Sequence, residues 1–416
     1  MTTYSALIRL ILAPLLAIVF VMLGNGFFMT FVSLRIVHDG GSEWLVGAVH
    51  SAYYLGMLIG AAKAETVINR VGHIRAYAAF AGLGTSCLLL LGLWSSPILW
   101  IVIRGVIGYC IAVYYVVVES WFLHSATERT RGVILALYMM TLYLSQATSQ
   151  FFLELVDIEA ATAFLIGGCF CAFSAVPLAL TRAPSPHLNP LAGHSLGALL
   201  RQSPFGFIGC VISGMVLSSF SSFAPLFAEE HALPVSLTMS CCIMGGVILQ
   251  WPIGRLSDIF DRRRVLFGVT LGLAFVSWLM IALAPTQAGV YSTLFILGGL
   301  AFTLYPLSIT EVCDRLQPSE ITRATGMLLL AYGIGAVVGP LLAPIPIDMS
   351  PRDGLFMFLL ANGIALGAVG TWSLLVRPPV AEELQGEYVP LPRQTPVAYE
   401  LDPRSETPLP RADADA

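Results

Sequence analysis

Charged residues are scarce in this chain. Of its 416 residues, 11% are Asp, Glu, Lys or Arg, whereas 57% are hydrophobic and the mean hydropathy is +0.81. A soluble globular protein carries roughly 25% charged residues. The charged fraction of this chain is less than half of that value, and so few charged residues cannot cover the water-facing surface of a soluble protein of this length. The composition therefore excludes soluble enzymes, nucleic-acid binders and disordered proteins. It predicts a protein that is embedded in a bilayer and surrounded by membrane lipids.

The sequence also lacks the motifs of several common chemistries. It contains no G-x-x-x-x-G-K-[ST], H-E-x-x-H or C-x-x-C segment. The net charge of −4 leaves no strongly basic surface for nucleic acid. All eight cysteines lie in or beside apolar runs, without disulfide or metal-ligand spacing. We therefore expect no cofactor, no metal site, no disulfide, no enzymatic activity and no nucleic-acid partner.

Long apolar runs are abundant instead. A membrane-spanning helix needs roughly 20 mostly apolar residues, and twelve runs meet this length. The first six are predicted at residues 8–34, 45–68, 76–95, 97–122, 132–154 and 160–181, and the second six at 204–228, 236–254, 265–285, 288–312, 326–346 and 354–376. The sequence thus predicts an all-α integral membrane protein of two six-helix bundles, 1–181 and 204–377, joined by a cytoplasmic linker at 182–203.

Positive charge is distributed unevenly between the two predicted sides of the membrane. Cytoplasmic flanks carry the excess of Lys and Arg. With the amino terminus inside, only Arg35 and Arg352 fall outside, whereas Lys63 and Arg104 lie within spans and every other arginine falls on the inner side. Both termini are therefore predicted to be cytoplasmic. The proline-rich and acidic residues 378–416 have few large apolar side chains and are predicted to form a disordered cytoplasmic tail.

The two halves of the chain share similar loops. A basic loop follows the second span of each half, at 69–75 and at 258–264, 189 positions apart. Another shared loop follows the fourth span, at 128–132 and at 322–326, 194 positions apart. The halves are therefore predicted to be a parallel duplication, and transporters built in this way bind substrate between the repeats near the bilayer midplane.

The segment Gly254-Arg255-Leu256-Ser257-Asp258-Ile259-Phe260-Asp261-Arg262-Arg263-Arg264 closely resembles G-x-L-x-D-x-x-G-R-[RK]-x, the loop signature of the major facilitator superfamily. It departs from that signature at Asp261, where glycine is usual. The first-half copy is degenerate, with Glu65 in place of glycine and Asn69 in place of aspartate. Residues 104–108 resemble the R-x-x-x-G motif of the same superfamily. Residues 116–120, 250–256 and 302–306 are similar to a bacterial inner-membrane branch whose substrate is not established.

This resemblance implies a secondary active transporter of the bacterial inner membrane that works as a monomer on a small-molecule substrate. It implies a cytoplasmic gate motif formed by Gly254, Asp258, Arg262, Arg263 and Arg264, in which charge pairs break as the inner side opens. It also implies that protons are coupled to transport through the arginine of the fourth span, Arg104. The direction of transport stays open. The degenerate first-half loop favours an alternative, a protein of this fold that no longer transports and acts as a sensor or scaffold.

Two charged residues of the fourth predicted span are candidates for proton coupling. An arginine within a span is costly unless it faces a polar cavity or partner, and the alternative for Arg104 is that its side chain reaches the outer surface. Glu119 lies fifteen residues farther on, about 22 Å along a helix, so the two groups cannot pair directly. Glu119 is either a proton-accepting carboxylate in the cavity or the cytoplasmic end of the helix.

Polar side chains near the middle of the spans are candidates for the substrate cavity. An unpaired amide in hydrocarbon is costly, so such groups should face the interior, where they either bridge helices or line a cavity. We predict Asn25, Gln146 and Tyr305 as cavity residues.

Overall fold

The computed structural model of the protein describes residues 2–94, 96–181, 196–282, 287–317, 320–378, 385–386 and 388–402. Across these residues the chain is almost entirely helical, and none of them forms a β-strand. Twelve helices in this part of the chain are long and apolar enough to cross a membrane. The predicted all-α fold with twelve spans is confirmed.

The helices are numbered here in chain order. Those of the first half are α1 (Thr2–His38), α2 (Glu43–Val71), α3 (His73–Leu93), α4 (Pro97–Ser125), α5 (Arg131–Ser149) and α6 (Thr162–Ala179). A short α7 (Leu196–Gln202) precedes those of the second half, α8 (Pro204–Glu230), α9 (Val235–Ile259), α10 (Arg262–Ala282), α11 (Gln287–Cys313), α12 (Ile321–Leu342), α13 (Pro344–Met349) and α14 (Gly354–Val376). Every predicted span has its helix. Of the predicted linker, residues 182–195 lie outside the described part of the chain.

Local residue preferences explain several helix ends. α4 and α8 begin at Pro97 and Pro204, where the missing backbone N–H costs no helical hydrogen bond. The hydroxyl of Ser203 accepts a hydrogen bond of 3.2 Å from the backbone N–H of Gly206 and thereby caps α8. Between α2 and α3, Gly72 has φ +87°, a conformation that favours glycine and lets the two helices follow one another with a single intervening residue.

The two halves pack their helices in the same way. α2 packs against α4 as α9 does against α11, and α1 contacts α5 and α6 as α8 contacts α12 and α14. Glycine permits the closest approaches: a Cβ atom on Gly56 would lie 1.9 Å from the Gly105 carbonyl oxygen, and one on Gly298 would lie 1.9 Å from that of Cys242. This shared packing confirms the predicted pair of pseudo-symmetric halves.

Contacts between the halves include two equivalent helix pairs, α2 with α12 and α5 with α9, and the pair of α1 with α8. We call the side of the bundle where α2 begins the far face, and the opposite side, which holds Arg262, Arg263 and Arg264, the arginine-rich face. Near the far face the halves bond directly. Trp44 Nε1 donates to Asp348 Oδ2 at 2.6 Å, and Ser51 Oγ donates to the Val337 carbonyl at 2.7 Å. Ser236 Oγ donates to Glu154 Oε1 at 2.6 Å, so both helix pairs are closed at this face.

At the arginine-rich face, residues 388–402 of the carboxy-terminal tail lie between the halves. Residues 396–401 form a short 3₁₀ helix, Pro396–Leu401, that contacts α4, α5 and α12. Leu391, Tyr399 and Leu401 are at most 1% exposed. The prediction of a disordered tail is therefore wrong for these residues. Their few apolar side chains cannot form a core of their own, but the open cleft between the two bundles buries them. Residues 379–384, 387 and 403–416 lie outside the described part.

Candidate ligand cavity

A cavity of about 500 Å³ lies between the two halves. Volumes of roughly 300–1,000 Å³ are typical of sites that take small molecules. Its wall combines aliphatic residues with aromatic, amide and thioether side chains, which include Asn25, Met29, Tyr53, Tyr54, Tyr115, Tyr143, Gln146, Gln150, Phe220, Phe302 and Tyr332. Among the described residues its charged lining is Glu65, Arg323 and, from the tail, Arg393. Such a wall suits a moderately polar molecule that has aromatic or cationic character.

Two of the three predicted cavity residues lie on this wall. Asn25 lines the cavity and donates a hydrogen bond of 3.1 Å from Nδ2 to the Tyr53 hydroxyl. Gln146 lines it from α5. Tyr305 does not: it is fully buried, and its hydroxyl is hydrogen-bonded to that of Tyr399 in the tail. The prediction for Tyr305 is wrong in this arrangement because Tyr399 covers its polar end.

Other wall residues were not among the predictions. Gln150 follows α5 and joins it to α1, since its Oε1 accepts from Thr30 Oγ1 at 2.8 Å and its Nε2 donates to the Gly26 carbonyl at 3.1 Å. The aromatic residues Tyr143 and Phe302 come from opposite halves, with ring centroids 5.4 Å apart. A sequence signal existed only for Gln150, an amide near the end of a span, because aromatic residues are common everywhere in membrane helices.

Arg104 is buried behind the cavity wall. Its side chain is fully inaccessible, so it does not extend to the outer surface. The guanidinium carbon lies 4.6 Å from the ring centroid of Tyr53 and 5.7 Å from that of Phe28, and one nitrogen is 2.6 Å from the Met29 sulfur. Its Nε and one terminal nitrogen have no hydrogen-bond partner among the described residues. Ring faces therefore supply much of the compensation for its charge.

Glu119 is also buried, well before α4 ends at Ser125. Its carboxylate accepts a hydrogen bond of 2.7 Å from the Tyr138 hydroxyl of α5 and a second from the Thr395 hydroxyl of the tail. The residue therefore does not end the helix at the surface. It connects α4, α5 and the tail on the arginine-rich side of the cavity.

The predicted gate motif forms a charged cluster at the end of α9 and the start of α10. Arg262 is 1% exposed and donates to both carboxylate oxygens of Asp314, at 2.7 and 2.5 Å, and to Asp258 at 3.1 Å. Arg263 donates to the Arg377 carbonyl at 3.1 Å. The Arg264 side chain is 79% exposed, with a distance of 3.9 Å to Asp261. The buried part of this charged cluster is thus centred on Arg262.

The charged cluster also holds the tail. Arg262 donates to the Gly386 carbonyl at 2.6 Å, and the backbone N–H of Tyr388 donates to Asp258 at 2.7 Å. Tyr388 then packs over Gly254, where an added Cβ would lie 2.3 Å from the tyrosine ring. Three of the five residues that were predicted to act as a gate between helices, Gly254, Asp258 and Arg262, therefore contact the tail.

Comparisons with known proteins give a consistent assignment. The family model of the Major Facilitator Superfamily matches residues 15–340 and 234–391. The uncharacterized MFS-type transporter YcaD of Shigella flexneri serotype 5b (strain 8401) is 32% identical over 380 residues, which are 87% of this chain and 94% of that protein.

Solved structures share the fold. The nucleoside transporter NupG superposes with a TM-score of 0.73 at 15% identity, covering 88% of this chain and 100% of that one. A D-xylose-proton symporter superposes with a TM-score of 0.69 at 14% identity, covering 91% of this chain and 99% of that one.

Proposed function

Since the chain belongs to the major facilitator superfamily of membrane transporters, we propose that it moves a small solute across the bacterial inner membrane by alternating access, coupled to protons. One observation carries the proposal: a cavity of ligand size lies between two repeat-related halves that hydrogen-bond to each other near the far face, whereas residues 388–402 lie between them at the opposite face. Relatives of this family are transporters and not enzymes. The wall chemistry supports a small-molecule substrate, and the charge distribution supports cytoplasmic ends at the arginine-rich face.

Alternating access is supported by the equivalence of the two interfaces between the halves. The pairs α2–α12 and α5–α9 are related by the repeat, so rotation of one bundle about the other loosens both pairs at one face and tightens both at the opposite face. The bonds of Trp44, Ser51 and Ser236 near the far face are those that must break for opening outward.

The tail must leave before solute enters from the arginine-rich face. Residues 388–402 fill the path between the halves there, and Arg393 and Pro396 form part of the cavity wall. Withdrawal of the tail would uncover Glu119, whose hydrogen bond from Thr395 is lost in the process. The same movement of the tail would then admit solute and hydrate the protonatable carboxylate of Glu119.

Proton coupling is supported by the surroundings of Glu119. A charged carboxylate is costly in a dry interior, and here two hydroxyl donors offset that cost in place of a cation. A change in its hydration can therefore be linked to proton gain or loss. Arg104, also buried, supplies a fixed positive charge on the same helix. The structural neighbour that is named as a D-xylose-proton symporter uses the same fold.

The test is solute-stimulated proton flux in proteoliposomes that contain the purified full-length chain and a pH-sensitive dye. The panel comprises sugars, nucleosides, amino acids, organic acids and organic cations. One solute class should move protons, and Glu119→Gln should abolish proton movement while solute exchange continues. Arg104→Ala should also uncouple the two fluxes.

Glu311→Gln is the matched control for this test, because Glu311 pairs with Arg315 at 3.1 Å and should leave the proton-to-solute ratio unchanged. Full coupling in both Glu119→Gln and Arg104→Ala would remove these residues from the mechanism. If the folded protein showed no proton flux with any solute of the panel, proton-coupled transport of these solute classes would be rejected.

The docked tail also favours the second candidate, a sensor that does not transport. In that case ligand binding would release residues 388–402 without any solute flux. Hydrogen exchange of the tail, measured beside the flux assay, separates the two functions: a sensor changes tail exchange on ligand addition and moves no solute.

A further inference from the structure

The guanidinium of Arg393 lies against the aromatic wall of the cavity. Its carbon is 4.5 Å from the ring centroid of Phe302 and 5.9 Å from that of Tyr143. One of its nitrogens donates to the Tyr143 hydroxyl at 3.0 Å and to the Phe302 carbonyl at 3.5 Å. The hydroxyl of Tyr332 lies beside the same group. We call Tyr143, Phe302 and Tyr332 the aromatic wall.

This cation is held without a carboxylate. None of the ion pairs among the described residues includes Arg393, whereas Arg262 in the charged cluster meets both Asp258 and Asp314. Ring faces, hydroxyls and a carbonyl oxygen instead surround the guanidinium. Such surroundings favour weakly hydrated, delocalised or alkylated cations over a compact ammonium, because less hydration free energy is lost when they leave water.

Space for a separate ligand lies beside this group. Arg393 is half-buried and forms part of the wall of the 500 Å³ cavity. The amides of Asn25 and Gln146 line the same cavity and can orient the polar part of a ligand whose cationic end contacts the aromatic wall. Because Arg393 arrives on the tail, its place becomes vacant when the tail withdraws.

We infer that the aromatic wall is a binding site for an organic monocation of the guanidinium or quaternary ammonium class, and that Arg393 occupies this site as an intramolecular competitor. The inference rests on the proposed function, since it names the class of solute that the cavity takes. The same site explains why the tail carries an arginine at the point where it reaches the cavity wall.

The experiment measures equilibrium binding of propylguanidinium to full-length protein in detergent by calorimetry. Propylurea, which has nearly the same shape but no charge, is the matched ligand. Arg393→Gln removes the competitor and should bind propylguanidinium at least about tenfold more tightly than the wild type, and at least about tenfold more tightly than it binds propylurea. Arg393→Lys keeps a competing cation and should gain less than Arg393→Gln.

Two further variants test the place of binding. Phe302→Leu in the Arg393→Gln chain should lose most of the gain, because the nearest ring face is removed. Arg255→Gln removes a different arginine, one that lies 5.5 Å from the Trp251 ring on the exposed surface, and should bind like the wild type.

Equal affinity for propylguanidinium and propylurea in Arg393→Gln, or the absence of any gain over the wild type, would overturn the inference. Its failure is distinguishable from failure of the proposed function. Selective binding without flux in proteoliposomes keeps the cation site and rejects transport, whereas flux of another solute class without cation binding keeps transport and rejects the site.

Discussion

The two halves differ at the loop that follows the second span of each. In the second half, Asp258 and Arg262 form a charged cluster with Asp314 and bind the backbone of the tail, and Gly254 lies under Tyr388. The positions 189 residues earlier are Glu65, Asn69 and His73. Glycine gives room for Tyr388 in the second half, and a glutamate that lines the cavity stands in its place in the first. A duplicated scaffold has thus kept its helix packing while one loop has become the attachment site for the tail.

A second repeat-related pair shows the same divergence. Glu119 and Glu311 lie 192 positions apart, and both are buried near the arginine-rich face. Glu311 pairs with Arg315 and accepts a hydrogen bond from Ser203, all within the second half. Glu119 instead accepts from Tyr138 and from Thr395 of the tail. The tail therefore contacts acids of both halves, Asp258 through its backbone and Glu119 through a side chain, and joins the bundles where they would separate.

The largest expected effect comes from breaking the charged cluster. Arg262→Gln leaves the carboxylates of Asp314, which is 5% exposed, and Asp258 without their cation, and should cost about 3–5 kcal/mol of unfolding free energy. His73→Gln, at the repeat-related position, should cost less because neighbouring Asn69 carries no charge. Chemical denaturation in detergent measures both.

The double variant Arg262→Gln/Asp314→Asn is the control for charge, because it removes both members of the most buried pair. It should recover a large part of the loss. If Arg262→Gln lowered the free energy of unfolding no more than His73→Gln does, the charged cluster would not make the second half differ in stability from the first.

The next largest effect tests whether the tail restrains the bundles. A chain that ends at Arg377 lacks every contact of residues 388–402 with Asp258, Glu119 and the cavity. Its initial rate of solute flux should rise at least about tenfold, which corresponds to about 1.4 kcal/mol of docking free energy. A chain that ends at Asp402 keeps these contacts and should transport at the full-length rate. Equal rates in all three chains would contradict a restraining role.

The smallest effect concerns pH. Burial, and then the nearby charge of Glu65, raises the pKa of Glu400 above its usual value. Docking therefore favours the protonated form: this contribution is fully present below the ordinary pKa of a free glutamate and is lost as pH rises through the raised pKa. Hydrogen exchange of residues 388–402, corrected for intrinsic rates, should quicken across that interval by about threefold or less.

Glu400→Gln should flatten this pH profile, and Glu128→Gln, in the loop before α5, should leave it unchanged. Exchange that slows with rising pH in the wild type would reverse the sign and reject the role of Glu400.

Two residues of the cavity wall were predictable because unpaired polar groups are costly in lipid. Asn25 and Gln146 face the cavity, as expected because an unpaired amide group in hydrocarbon costs free energy. Tyr143 and Phe302 were not predictable, since they are 159 positions apart and become neighbours only when the halves pack. For Tyr305 the prediction failed because a residue 94 positions later covers its hydroxyl.

The tail also shows that sequence composition does not reveal contacts between distant segments. Its composition indicates that residues 378–416 cannot bury enough of their own apolar surface to fold alone. Composition does not report the surface that other segments provide, and Tyr399 and Leu401 are buried in a 3₁₀ helix that contacts helices of both halves.

Hydropathy, charge bias and motif spacing are readable from the sequence without the fold, so they were sufficient to predict the membrane environment, the twelve spans, the duplication and the family. The partners of the buried polar groups depend on how the helices and the tail pack: Arg262 pairs with Asp314, Glu119 with Thr395, and Arg393 with the aromatic wall. Each of these contacts joins residues that are 52 to 276 positions apart, and no local pattern indicates which distant groups will meet when the bundles pack around the tail.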